Sequence, residues 1–109
     1  MHLKFEELYT NLLVKVDEVA ERILTLGKTP LHTFDDYKNF ATIKSVKNIS
    51  DGKKGVQSIL DAFEILIIKQ RDLLNLSADA GDEGTNALMS DYIREQEKSV
   101  WMYSSFLKK

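Results

Sequence analysis

A single proline, at position 30, stands in this chain of 109 residues, and its placement constrains the fold more than any other feature. Proline breaks the helical hydrogen-bond ladder, so long stretches on either side are free to run as unbroken helices. Three of them carry apolar residues at helical spacing. In the first, from about residue 2 to Leu26, the residues Phe5, Tyr9, Leu12, Val16, Val19, Ile23 and Leu26 recur every 3–4 positions and predict a core stripe. Lys4, Asn11, Lys15, Glu18 and Arg22 form the opposite, solvated side. Gly27 suits the position just past the helix, and Pro30 blocks continuation. The second long helix is expected over 53–79, with Val56, Ile59, Leu60, Phe63, Leu66, Ile67 and Leu74 as its main stripe. Ile65, Ile68 and Leu76 widen its apolar cover. Ala80-Gly81 ends it, and a third helix starts near Asp82-Glu83, acids that suit a positive helix N-terminus. That helix continues through Leu88, Met89, Tyr92, Ile93, Val100, Tyr103 and Leu107, with Trp101 expected to pack in the core.

The long connection holds one more element. Thr33 can cap a short helix ending at Phe40, with Asp35 and Asp36 in its first turn. Phe34, Tyr37 and Phe40 are expected to fasten it to the bundle, and Thr42 to Gly55 is expected to be loop. The fold class is therefore all-α, three long helices and one short one, in a single domain spanning 1–109. The chain has no cysteine, which excludes a disulfide scaffold, thiolate metal sites and cysteine nucleophiles, and agrees with a cytoplasmic setting. Its longest strongly apolar run, Ile65 to Ile68, is far too short to span a bilayer, so no membrane association is expected. A net charge of −2 gives no global attraction to nucleic acid or anionic membrane.

Chemistry concentrates on the first helix, in His2, Glu6, Asp17 and Glu21. They form two pairs, His-x-x-x-Glu and Asp-x-x-x-Glu. A spacing of four puts both members of a pair on one helix face, and all four fall within an arc of about 100°. Imidazole and carboxylate suit iron and other divalent first-row metals. Glu6 and Asp17 are 11 residues apart, roughly 16 Å of helix, so one metal cannot touch both pairs of one chain. Two copies of the helix packed antiparallel about a two-fold axis bring the His2/Glu6 end of one to the Asp17/Glu21 end of the other, twice. The pattern predicts a metal site shared between subunits. The ligand face lies about 120° from the predicted core stripe, and Leu13, Ala20 and Leu24 are interspersed on it, as an interface carrying a site requires.

The start of the chain is unusual. The amphipathic pattern is already in phase at Met1, with no capping residue or preceding turn. The expectation is that an upstream element has been removed, leaving the domain incomplete at its N-terminus.

The run Val16-Asp17-Glu18-Val19-Ala20-Glu21-Arg22, followed by Leu26-Gly27 and Pro30, resembles the metal-helix signature of the Dps family, the ferritin-like miniferritins of bacteria. His2-Leu3-Lys4-Phe5-Glu6 is similar to the end of that family's other signature. Lys4 to Tyr9, Ala80 to Thr85, Ala87 to Tyr92 and Val100 to Met102 extend the match over nearly the whole chain. The resemblance implies a ferritin-like bundle assembled as a hollow dodecamer. It implies a ferroxidase-type oxidoreductase that oxidises Fe(II), preferentially with hydrogen peroxide, and stores ferric iron, protecting the cell and its DNA. His2 and Glu6 match the ligands from one subunit, Asp17 and Glu21 those from the other; at Glu6 the family more commonly has aspartate. Members also have a long helix before His2, with a further histidine in an His-Trp-type motif, and many have a basic N-terminal tail that holds DNA. Both precede the first residue of this sequence, so weak or absent DNA binding is expected, although nucleoid association is compatible with the family.

The resemblance also places Asp82, Glu83 and Asp91 beside a cation-attracting three-fold pore; without it they are simply a favourable helix N-terminus. His32 reads as a loop residue. Lys108 and Lys109 suit a helix C-terminus and are too few for an independent DNA-binding arm. Three function classes follow: an iron-oxidising and iron-storing protein, an inactive helical remnant, and a DNA-compacting protein.

Overall fold

The computed structural model describes residues 2–44 and 51–108, His2 by its backbone alone. The described residues form four helices and no strand: α1 (His2–Thr25), α2 (Phe34–Phe40), α3 (Gly52–Asp79) and α4 (Glu83–Leu107). The chain divides into two units, residues 1–42 with α1 and α2, and residues 43–109 with α3 and α4.

Local chemistry sets the helix ends. α1 closes in a Schellman turn: Gly27 N–H donates to the Leu24 carbonyl at 2.9 Å and Lys28 N–H to the Ile23 carbonyl at 3.0 Å. That turn needs a left-handed residue, and Gly27 supplies it with φ of 85°. α3 ends the same way, with Gly81 at φ 70° and Asp82 N–H donating to the Ser77 carbonyl at 2.8 Å. Thr33 caps α2 as expected, its hydroxyl accepting from Asp36 N–H at 3.1 Å. Asp51 caps α3 by accepting from Lys53 N–H at 2.9 Å. The helix thus absorbs Gly52 to Gly55, which the turn-rich composition had marked as loop. One good cap three residues ahead of Lys54 outweighs the modest helical cost of two glycines. Residues 45–50 of the expected loop lie outside the described residues.

In the second unit α3 and α4 pack against each other. Val56, Phe63 and Ile67 of α3 are buried, as are Met89, Tyr92 and Tyr103 of α4. Burying side chains of this size contributes about 1.5–3 kcal/mol each. The three-residue turn 80–82 makes the pair antiparallel. Two contacts mark its register: Asn86 Nδ2 to the Leu74 carbonyl at 2.9 Å, and Arg71 to Glu97 at 3.1 Å. Trp101 departs from expectation, being 66% exposed. Its sequence neighbour Tyr103 is buried, but two residues turn a helix by about 200°, which sends Trp101 to the far side.

In the first unit, the side chains that periodicity marked for the core are only partly covered. Phe5, Leu12 and Ile23 are half-buried, while Tyr9, Val16 and Leu26 are exposed. The covered strip instead includes Leu8, Asn11, Arg22 and Lys15. Apolar residues occupy most of the circumference of α1, so the covered side need not coincide with the centre of the apolar pattern. Lys15, expected in solvent, is 8% exposed. Its aliphatic stem takes the covered position and its ammonium group donates to Asn11 Oδ1 at 2.8 Å, one turn earlier. α2 has no buried residue, and Phe34 and Phe40 are 90% and 73% exposed. The expected aromatic fastening of α2 is therefore absent among the described residues. What holds its start is polar: Tyr37 Oη donates to the Leu31 carbonyl at 3.0 Å.

Candidate metal centre

His2, Glu6, Asp17 and Glu21 all belong to α1, which runs without glycine or proline through residue 25. The helix therefore holds each pair one turn apart on a rigid support, as the spacing required. The His2 side chain lies outside the described residues. Glu6, Asp17 and Glu21 are exposed. Among the described residues, Asp17 and Glu21 direct their carboxylates into no side-chain hydrogen bond or ion pair. The Glu21 carbonyl accepts the Thr25 hydroxyl at 2.7 Å, a bond that leaves its carboxylate uncommitted.

Around these acids the surface is apolar. Leu3, Leu13, Val14 and Leu24 are all exposed on α1, and by helical arithmetic they fall on the same broad side as Asp17 and Glu21. Exposed apolar area interleaved with uncommitted carboxylates is unlike an ordinary solvated face. No group of three or more histidine and acidic side chains converges among the described residues. One copy of α1 cannot produce such a group, because the two pairs are held apart by the rigid helix between them.

The acids at the start of α4 divide by role. Asp82 is a helix cap: one oxygen accepts from Thr85 N–H at 3.1 Å and the other from the Thr85 hydroxyl at 2.6 Å. Glu83 follows it in the first turn and is exposed. Asp91 lies two turns further on and accepts from Arg94 at 3.3 Å. The structure brings Asp82 and Glu83 together at the helix N-terminus and holds Asp91 apart from them. His32 is exposed in the connection between α1 and α2. Lys108 is the C-cap of α4, and Lys109 lies outside the described residues. No helix of the described residues is long and apolar enough to cross a membrane.

Two buried amide side chains escaped the sequence reading. Gln70 and Gln96 are 8% and 3% exposed. The signal was their phase: Gln70 continues the stripe of Phe63 and Ile67, and Gln96 that of Met89 and Tyr92. A polar residue at a core phase is more informative than the apolar residues beside it.

Comparison with known proteins agrees with this arrangement of helices. The model of the ferritin-like domain matches residues 1–109. A Haemophilus influenzae protein is 47% identical over 96% of this chain and 66% of its own length. The DNA protection during starvation protein of Porphyromonas gingivalis is 36% identical over 100% of this chain and 69% of its own length. The crystal structure of a Dps protein from Vibrio cholerae O1, described as a member of the ferritin-like diiron-carboxylate superfamily, superposes with a TM-score of 0.96. It is 55% identical and covers 97% of this chain and 67% of that one. The chain thus spans about two thirds of the length of these relatives, just under that share for the first. All-α, with a ferritin-like arrangement of three long helices and one short one, and matched to these relatives along essentially its whole length, the chain belongs to the Dps family.

Proposed function

We propose that this chain is the iron-handling subunit of a Dps-type assembly, taking Fe(II) as substrate, oxidising it with hydrogen peroxide and retaining the ferric product. The observation that carries the reading is the pair Asp17 and Glu21: two exposed carboxylates one turn apart, uncommitted among the described residues and set in exposed apolar surface. Two carboxylates neutralise the charge of a bound Fe(II) and, as hard oxygen donors, favour the Fe(III) product. His2 and Glu6 of a two-fold-related copy complete the site, with imidazole suited to the divalent state. The apolar residues between the pairs supply the contact that holds two copies in register. No protein nucleophile is needed, because electrons pass from iron to the oxidant: two Fe(II) and one peroxide, with two protons, give two Fe(III) and two waters.

The DNA protection for which these relatives are named is explained by the same chemistry. Consuming Fe(II) and peroxide together removes the reactants that generate damaging radicals. The closed assembly is a homo-oligomer, a dodecamer in keeping with the family, and works in the cytoplasm. Glu83 and Asp91 are the better candidates for attracting cations at a pore, since both oxygens of Asp82 are taken by its cap. Direct DNA binding is weak at physiological salt, given the acidic balance. A gel shift across a salt series checks this, because phosphate contacts weaken steeply with salt.

The test of the main reading is Fe(II) oxidation by peroxide, followed by the absorbance of the ferric product, in the chain and in Asp17→Ala/Glu21→Ala. Changing partners one shell out from a metal costs about 10–100-fold in affinity or activity, so losing two direct ligands is expected to cost at least that. Equal oxidation by both proteins would overturn the site assignment. If neither protein exceeds the protein-free rate, the chain keeps the fold without the chemistry.

A further inference from the structure

The α3–α4 hairpin has a polar level inside an apolar core. Gln70 and Gln96 are both more than nine-tenths buried. Among the described residues, the side-chain oxygen of each lacks a hydrogen-bond partner. Their placement is not independent. Each glutamine immediately precedes one member of the Arg71–Glu97 ion pair. The 70/96 alignment also falls between the two contacts that mark the hairpin's register, 74 with 86 and 71 with 97. The two amides therefore sit within about one helical turn of each other. A buried amide oxygen without a donor is costly, and two at one level of one hairpin are unusual in a native fold.

We infer that Gln70 and Gln96 form a binding site for one buried water molecule, which bridges the two amides and belongs to the folded hairpin. Chemistry selects the occupant. Two acceptors need two donors, and water carries two O–H donors on one small atom. An anion is excluded because it would face carbonyl oxygens. A cation is excluded because the buried side chains of this unit are apolar, phenolic, hydroxyl or amide, and none is a carboxylate that would neutralise it. Direct reciprocal pairing of the amides would satisfy both oxygens, each accepting from the other's N–H, but neither oxygen has such a partner among the described residues. Exchanging oxygen and nitrogen in either amide changes only which of water's two donor and two acceptor sites are used. A polar site with at least two partners is what a resident water requires.

The bridge has a purpose in the hairpin. Apolar faces slide past one another with little penalty, whereas a water held from both helices is lost if α3 and α4 shift by a turn. The site thus fixes the register that sets α4 against α3.

Two measurements on the full chain test this. The first is water-to-amide magnetisation transfer in the unsubstituted protein, or a crystal structure at a resolution that shows ordered water. The expected result is one long-lived water correlated with the side-chain amides of both Gln70 and Gln96. The second is a cycle of Gln70→Met, Gln96→Met and the double variant. Each single change is expected to raise the unfolding equilibrium constant about tenfold, since it strands the remaining amide. The double change, which removes both amides and the need for water, is expected to be no worse than either single. Direct amide-to-amide contact without a water, or a double variant that sums the two singles to about a hundredfold, overturns the inference.

Discussion

α1 and the α3–α4 hairpin have similar apolar content and meet different fates. In the hairpin, Val56, Phe63, Ile67, Met89, Tyr92 and Tyr103 are covered within the unit, and the opposite faces carry mostly charged and polar residues. In α1, no apolar side chain is fully buried, and Leu3, Leu13, Val14 and Leu24 stand exposed among acids. Helical periodicity reports how much apolar area a segment has. It does not report whether a neighbouring helix or another subunit covers it. A large exposed apolar patch in a folded protein marks an interaction surface, and here it coincides with the carboxylates that the proposed iron chemistry needs.

The sharpest way to break this contrast is to truncate one residue from each region. Phe63→Ala in the hairpin is expected to cost about 3–5 kcal/mol, the range for deleting a buried aromatic. That is a large share of the stability of a domain this size, and thermal unfolding would report it directly. Leu13→Ala with Leu24→Ala is expected to change subunit unfolding by about 0.5 kcal/mol per residue or less, as for exposed positions. Its effect should appear in the association equilibrium, measured by sedimentation. Comparable destabilisation of a dissociated subunit by both changes would show that the α1 face is ordinary core.

Most of the fold was legible for a definite reason. Helix lengths follow from the one proline and the two glycines that need left-handed backbone, Gly27 and Gly81, and these are local, short-range facts. Thr33 was legible as a cap because a hydroxyl ahead of acidic residues has few other uses. Asp51 was missed because Gly52 and Gly55 argued for loop. The errors at Tyr9, Val16, Phe34, Phe40 and Trp101 share a cause. Each concerns what lies across from a side chain, and one chain's pattern does not contain its neighbour's position. The candidate site was legible to the level of pairs, since four-residue spacing fixes a face. Its completion from a second copy rests on symmetry, beyond what a single chain displays.

Next in size are the two Schellman turns, one in each region. Gly27→Ala and Gly81→Ala each force a Cβ onto left-handed backbone, at about 1–2 kcal/mol. No atom lies within 4 Å of either added Cβ, so the strain is purely conformational. Asparagine, which tolerates this backbone better, should recover part of the loss at both sites. A much larger loss at Gly27 than at Gly81 would mean that the end of α1 is crowded by a partner in the assembly. Denaturant midpoints of the four variants decide this.

Asp82 separates a structural acid from a functional one. Asp82→Ala removes the cap of α4 and is expected to cost about 1 kcal/mol, within the 0.5–2 kcal/mol range of such changes. Asp82→Asn keeps an acceptor for Thr85 N–H and should cost less. Glu83→Gln and Asp91→Asn leave the cap untouched and should leave stability nearly unchanged. If cations enter near this helix, those two substitutions should slow iron uptake with no shift in unfolding midpoint. Slowed uptake from Asp82→Asn alone would reassign the role to the capping acid.

The smallest expected effect lies at the Arg71–Glu97 pair, which joins α3 to α4 at 3.1 Å. Both side chains are 54% exposed, so water and salt screen most of their attraction. Holding two long side chains in one geometry also costs rotamer entropy. A coupling of about 0.2–1 kcal/mol is the range for such pairs, and the lower half is expected here. A double-mutant cycle with Arg71→Ala and Glu97→Ala, repeated at low and high salt, measures it. The coupling should shrink as salt rises. A coupling well above 1 kcal/mol that salt leaves unchanged would mean that the pair itself sets the hairpin's register. The buried amides just inside it would then have no such work left to do. A weak, screened pair leaves the alignment of α3 and α4 to what is buried between them.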